Sequence, residues 1–267
     1  MILGILGGLG PLAGAAFYRR LIERTEASCD ADHVSVILSG NGKIPDRTAY
    51  LLGNSDEDPA PHLVREANRL ADAGADILVM LCHTAHAFLP ELRRALRIPI
   101  LHMPYIALRA VAARGYRRVG ILCTEGCYRA GVFSAAALGL PLALLYPADE
   151  ERKEISRLIY GEIKNGKADP CVAKIEIPPS FIQKGAEAIL LGCTELSLLH
   201  PPAVRCGDPS FYRPPYITAD CVFVDPAEIL VEVCIGLCGK KIKGEGYATG
   251  GSVFASAERS ATDADRD

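Results

Sequence analysis

Short, near-continuous apolar runs alternate along this chain with longer stretches whose apolar residues recur every three or four positions. Runs without polar alternation predict strands buried on both faces, as in parallel sheets. They cover Ile2 to Leu6, Val34 to Leu38, Ile98 to His102, Val119 to Leu122, Leu142 to Tyr146, Cys221 to Val224, and the stretches ending at Cys82 and Cys193. Helices are predicted from Pro11 to Ala27, Pro61 to Ala73, Ala85 to Leu96, 105–114, Arg129 to Leu138, Glu150 to Asn165 and Pro226 to Cys238. Pro11 suits a first helical turn, and Gly166 suits a helix stop. Pro45 forces an extended approach to a helix that Asp46 or Thr48 caps.

Two of the strand segments look like copies. Gly74-Ala75-Asp76 leads through an apolar run to Cys82, and Gly185-Ala186-Glu187 leads through another to Cys193, each cysteine eight places after its glycine. Gly4-Ile5-Leu6 likewise recurs as Gly120-Ile121-Leu122. Gly4 and Gly120 lie 116 residues apart and the two cysteines 111 apart, which predicts a duplicated α/β unit. The cysteines then stand at the C-terminal tips of equivalent strands, where α/β folds place chemistry.

Composition narrows the setting. The 267 residues are 49% hydrophobic with a net charge of −3 and no basic run, which points away from disorder, nucleic acid and anionic membranes. The apolar start, Met1 to Tyr18, lacks a basic lead and is interrupted by glycines, so it reads as strand, loop and helix start rather than as a signal peptide or span. Ten scattered cysteines with no paired CxxC predict reduced thiols in a cytoplasmic protein and no metal site. Cys123, Cys221, Cys234 and Cys238 fit small buried apolar positions. The segment 240–267 turns polar and reads as a disordered tail.

A buried cysteine is usually inert packing. Two at matching repeat positions, each followed by polar residues, instead suit a nearly symmetric reaction, inversion at a carbon acid. One thiolate removes a proton from one face of the carbon, and the other thiol delivers a proton to the opposite face. Two thiolates in one pocket repel, so one charged and one neutral is the favoured state. Such a site must neutralise a substrate carboxylate. Arg47, a cation in a first helical turn where the dipole disfavours it, is a candidate, as are the hydroxyls of Thr84, Thr124 and Thr194. Lys164, near a helix C-terminus, reads by itself as a dipole-complementing lysine.

Four motifs in register, Gly7-Gly8-Leu9-Gly10-Pro11, Ile44-Pro45-Asp46-Arg47-Thr48, Cys82-His83-Thr84-Ala85-His86 and Gly192-Cys193-Thr194-Glu195-Leu196, resemble the aspartate/glutamate racemase family over residues 1–238. The resemblance implies two pseudo-symmetric α/β lobes, each a mostly parallel sheet flanked by helices, with the active site in the cleft between them. The implied lobes are 1–102 with 217–239, whose strand and helix return to the first lobe, and 103–216. It implies cofactor-independent racemisation of an acidic amino acid by a homodimer. Cys82 and Cys193 would be the proton donor/acceptors, and Arg47 and Lys164 the carboxylate holders. Leu9, His83, Thr84, Thr124 and Thr194 would line the substrate site, with Asp46 and Glu195 supporting. Glu195 resembles the aspartate branch, since the glutamate branch usually carries histidine there.

Departures from the family pattern are His83 for a usual asparagine, Cys127 for a threonine and Ala130 for a serine. His83, if charged, would lower the pKa of Cys82. Rival readings are a glutamate or broad-specificity racemase, an isomerase or decarboxylase of small dicarboxylates, a binding protein without chemistry, and a Cys-His hydrolase or metal site built on Cys82, His83 and His86.

Overall fold

The computed structural model describes residues 1–167, 175–199, 211–212 and 221–244. The first half runs β1 (Ile2–Leu6), α1 (Pro11–Arg24), β2 (Ser35–Ser39), α2 (Arg47–Leu51), α3 (Pro59–Asp72), β3 (Ile77–Met80), α4 (Leu89–Ala95) and α5 (Met103–Ala113). The second runs β4 (Arg118–Leu122), α6 (Glu125–Arg129), α7 (Val132–Ala136), β5 (Ala143–Leu145), α8 (Asp149–Ser156), α9 (Pro179–Gln183), β6 (Ala188–Leu191), β7 (Phe211–Tyr212), β8 (Val222–Val224) and α10 (Pro226–Leu237).

The two sheets repeat one order. The first is β2-β1-β3, all parallel, extended by one parallel bridge from Leu78 to Ile100. The second is β5-β4-β6-β8-β7, parallel except for the β7–β8 pair. Thus β1 corresponds to β4, β2 to β5 and β3 to β6, as the duplicated sequence runs predict. In each half the central strands are fully buried, which explains their unbroken apolar runs.

The topology corrects one expectation. The strand within 217–239 does not return to the first lobe, because β8 pairs with β6 and completes the second sheet. It fills the place that Ile100 occupies beside β3. The helix that follows does cross over. Helix α10 packs on α1 and α5, and α5 packs on α7 of the second lobe. One apolar core therefore joins Leu3, Ile5 and Val79 of the first sheet to Val119, Ile121 and Leu190 of the second through Ile106 and Leu230.

Local sequence accounts for several boundaries. Helix α1 opens with Pro11 and buries Ala13, Gly14, Phe17 and Leu21 on one stripe. Asp46 caps α2, as expected, accepting from the Ala49 amide at 2.8 Å. The helix predicted from Arg129 to Leu138 starts only at Val132, as α7, because Gly131 adopts a left-handed φ of 64° and separates it from α6, which ends at Arg129. The predicted strand from Ile98 to His102 shrinks to the single bridge at Ile100. Beyond Ser156 the charged helix loosens into a π-helix from Arg157 to Ile163. Ile242 bridges Thr25, and the expected tail beyond Gly244 lies outside the described residues, as does most of the proline-rich loop 200–216.

Candidate active site

Strands β3 and β6 bring their C-terminal tips together. Cys82 and Cys193 follow these strands by two residues, and both are buried. The Thr194 hydroxyl lies 3.5 Å from the Leu81 carbonyl oxygen, so the two tips are in contact across the lobes. Tyr160 and Lys164 each interact electrostatically with both thiols, and so does Cys127.

The second thiol is held in its protonated form. Cys193 Sγ donates to Glu195 Oε2 at 3.0 Å, and the Thr194 hydroxyl lies 3.2 Å from the same oxygen. Burial, then the Glu195 charge and this hydrogen bond, push the Cys193 thiol well above the usual range, with Lys164 opposing. Glu195 is tightly fitted. A Cβ added to Gly10 would stand 2.1 Å from Glu195 Oε1, so the glycine loop lies directly on this carboxylate.

Two cations converge on one backbone acceptor. Arg47 Nη2 donates to the Leu9 carbonyl at 2.6 Å, and Lys164 Nζ approaches the same oxygen at 3.5 Å. Arg47 Nη1 is taken by the carbonyls of Ile44 and Pro45 at 3.2 and 2.9 Å, while its buried Nε has no partner among the described residues. Lys164 also lies 3.4 Å from Glu195 Oε1. Burial alone would depress the lysine, but Glu195 and the two thiols outweigh it and hold its pKa above the ordinary value. Leu9, Gly10, Asp46, Arg47, Lys164 and Glu195 all line one cleft of ≈ 620 Å³. Neither thiol lines it, and Glu195 connects the cleft to Cys193.

Hydroxyls stitch the lobes beside the thiols. Thr84 and Thr124 lie 2.8 Å apart across the interface, and the Thr48 hydroxyl lies 3.3 Å from Thr124. Tyr160 is hydrogen-bonded to Thr48, and burial pushes its phenol up. The sequence reading missed Thr48 and Tyr160 as site residues. Both had a signal, since Thr48 ends the Arg47 motif and Tyr160 stands one helical turn before Lys164. Asp46 spends an oxygen on its helix cap.

His83 is 1% exposed, and its ring stacks 5.1 Å from Phe133. Neither ring nitrogen has a partner among the described residues. Burial, then the neighbouring His86 and His102, keep its pKa well below the usual value, so this imidazole is neutral and supplies no charge to Cys82. His86 turns both nitrogens to backbone, with Nδ1 2.8 Å from the Cys82 carbonyl and Nε2 3.2 Å from the Met103 amide. It has no nitrogen left for a thiol, and since neither His83 nitrogen has a partner either, no Cys-His hydrogen bond forms at Cys82 among the described residues. Among the described residues no group of three or more His, Cys, Asp or Glu is arranged to hold a metal ion, and no helix is long and apolar enough to cross a membrane.

Comparison with known proteins agrees with this architecture. The Asp/Glu/Hydantoin racemase family model matches residues 6–233. The broad specificity amino-acid racemase RacX of Bacillus subtilis (strain 168) is 22% identical over 73% of this chain and 86% of its own length. A glutamate racemase of Listeria monocytogenes serotype 4a is 28% identical over 60% of this chain, a match spanning only 63% of that relative. Among solved structures, Picrophilus torridus aspartate racemase superposes with a TM-score of 0.72 at 23% identity, covering 95% of this chain and 98% of its own. An aspartate racemase homologue from Pyrococcus horikoshii OT3 gives 0.66 at 22% identity, covering 89% and 98%. At these identities the structural matches establish the shared two-lobe fold.

Proposed function

The chain belongs to the Asp/Glu/Hydantoin racemase family, and from that premise we propose that it racemises an acidic amino acid, aspartate by preference, by proton transfer between Cys82 and Cys193. The observation that carries this reading is the meeting of two equivalent strand tips, each followed by a cysteine, through Thr194 and Leu81. In one direction Cys82, as thiolate, takes the α-proton. Cys193, as thiol, gives its own proton to the opposite face of the carbanion. The product leaves Cys82 protonated and Cys193 as thiolate, and the reverse reaction exchanges the roles.

Carboxylate binding falls to Arg47 and Lys164. Both already point at the Leu9 carbonyl oxygen, and a substrate carboxylate takes the place of that oxygen. A carboxylate between two cations offsets the negative charge that builds on the α-carbon as the proton leaves. Thr84, Thr124 and Thr194 supply hydroxyls around the reacting centre. The neutral His83 offers one donor and one acceptor that no described residue uses, and a substrate polar group is their partner. Neither a metal nor pyridoxal phosphate takes part. The protein acts in the cytoplasm as a homodimer.

The test is a panel of L- and D-amino acids followed by circular dichroism and by α-deuterium incorporation in heavy water, without added pyridoxal phosphate. Cys82→Ser and Cys193→Ser are each expected to abolish racemisation. Normal racemisation by both single variants sinks the two-thiol mechanism. Glutamate or broad specificity is the second reading, favoured by the likeness to RacX along most of that protein's length. Comparable rates on aspartate, glutamate and neutral amino acids would replace the aspartate preference with it.

A further inference from the structure

We propose that His86 is a positioning residue for Cys82, clamping the carbonyl of the first strand tip to the start of α5. The proposal rests on the two-thiol reading above. Strand β3 ends at Met80, so the Cys82 carbonyl lies beyond the sheet ladder. His86, four residues on, brings Nδ1 to 2.8 Å from that oxygen. Its other nitrogen, Nε2, lies 3.2 Å from the amide of Met103, in the first turn of α5, where helix amides lack partners within the helix.

An amide only donates. The Cys82 and Met103 contacts together therefore place the lone pair on Nε2 and the proton on Nδ1, with the backbone of Leu101 and His83 also close to the ring. Burial lowers the pKa of this ring to about 4, so the neutral form persists at neutral pH. The ring thus ties the peptide that follows Cys82 to a helix seated in the core shared by both lobes. Proton transfer to or from carbon requires the reacting atoms within about 3–3.5 Å, and displacement by 1 Å costs about a hundredfold. Without the imidazole the peptide that follows Cys82 loses its tie to α5, and with it the thiol's hold to that tolerance.

The repeat supplies an internal contrast. The position equivalent to His86 in the second half is Ser197, whose hydroxyl donates to Asp225 at 2.7 Å. The Cys193 carbonyl instead accepts from the Leu196 amide at 3.0 Å. The imidazole clamp therefore serves only one of the two thiols, and its loss acts on one proton transfer and spares the other.

The experiment compares primary kinetic isotope effects for the two α-deuterated enantiomers in wild type, His86→Phe, His86→Asn and His86→Gln. His86→Phe keeps ring volume without either hydrogen bond. His86→Asn places a donor near the Nδ1 position, and His86→Gln places its amide near Nε2. His86→Phe should lose about tenfold to a hundredfold in kcat/KM. Its isotope effect should rise for the enantiomer deprotonated by Cys82 and fall for the other, with His86→Asn recovering more activity than His86→Gln. A variant that merely loses active protein leaves both isotope effects unchanged, and that result, in His86→Phe or in His86→Gln should the former not fold, overturns the proposal. An inactive Cys82→Ser beside unshifted His86 variants sinks the clamp alone. A fully active Cys82→Ser sinks the two-thiol reading beneath it.

Discussion

Thr194 and Leu81 touch across the lobe boundary, hydroxyl to carbonyl oxygen at 3.5 Å. The residue after one cysteine of the repeat meets the residue before the other. The distance in sequence is 113 residues, and the contact joins strands that hold equivalent places in the two sheets, β3 beside β1 and β6 beside β4.

Glu195 holds the proton on Cys193, so Glu195→Gln should make this thiol more acidic. Each unit of pKa is worth about tenfold in the thiolate fraction at a pH below both values. Alkylation by iodoacetamide, resolved by mass spectrometry and referenced to Cys82, should accelerate at Cys193 in the variant. An unchanged ratio across pH 7–9 would show that the carboxylate does not govern the thiol.

Gly10 has no room for a methyl group. In Gly10→Ala the new Cβ would meet Glu195 Oε1 at 2.1 Å, and the carboxylate must move. The displaced group is the end of a side chain, so the fold should survive with a loss of about 1–3 kcal/mol. Activity should fall by more than tenfold while the urea-unfolding midpoint moves modestly. Full activity in the variant would refute the need for this contact.

Three buried carboxylates, Asp225, Glu228 and Glu232 on and before α10, face two guanidinium groups, Arg20 and Arg24 on α1. Arg20 lies 2.9 Å from Asp225 and 3.2 Å from Glu228, and Arg24 pairs with Glu232. Burial raises Glu228 from 4.5 to about 7, with Asp225 and Glu232 reinforcing the rise and the arginines opposing it. A raised acid keeps its proton when folded and loses it when unfolded. This group's contribution therefore falls as pH rises from 4.5 through about 7. Glu228→Gln should lose that slope, so its stability at pH 8 relative to pH 5, measured by urea unfolding, should exceed the wild-type ratio. Parallel pH profiles would contradict the assignment.

Buried imidazoles set the acid limb with the opposite sign. Burial depresses His86 from 6.5 to about 4 and His102 from 6.5 to about 3, and it depresses His83 well below 6.5. The unfolded chain takes up protons that the folded one refuses, so stability is lost as pH falls below 6.5 toward these values. His102 caps α5 by accepting from the Tyr105 amide at 3.1 Å, a role asparagine also fills. His102→Asn should keep the cap and lower the net proton uptake on unfolding between pH 5 and 6 by about one, the three imidazoles' uptake being already offset by the proton that Glu228 releases. Calorimetry in buffers of different ionisation enthalpy reads that uptake.

Much of this fold is legible in the chain. The strand at Ile2–Leu6 falls where its apolar run predicts, and the matched runs before Cys82 and Cys193 occupy matched sheet positions. An apolar run reports burial but not its neighbour, so nothing in Cys221 to Val224 distinguishes a strand of the first lobe from β8, which pairs with β6 of the second. In the site, the cysteines, threonines and Glu195 announce themselves as polar residues at strand ends. The meeting of Arg47 and Lys164 at the Leu9 carbonyl does not. Its acceptor is a backbone atom 155 residues from the lysine, and backbone atoms carry no sequence signature.

The crossed helices bear on how a ligand enters and leaves. Since α5 and α10 join the two sheets in one apolar core, the halves cannot swing apart as rigid bodies without exposing it. From this cleft the way to Cys193 then runs past the Glu195–Lys164 ion pair, 3.4 Å apart, whose side chains stand between the open cleft and the thiol behind it.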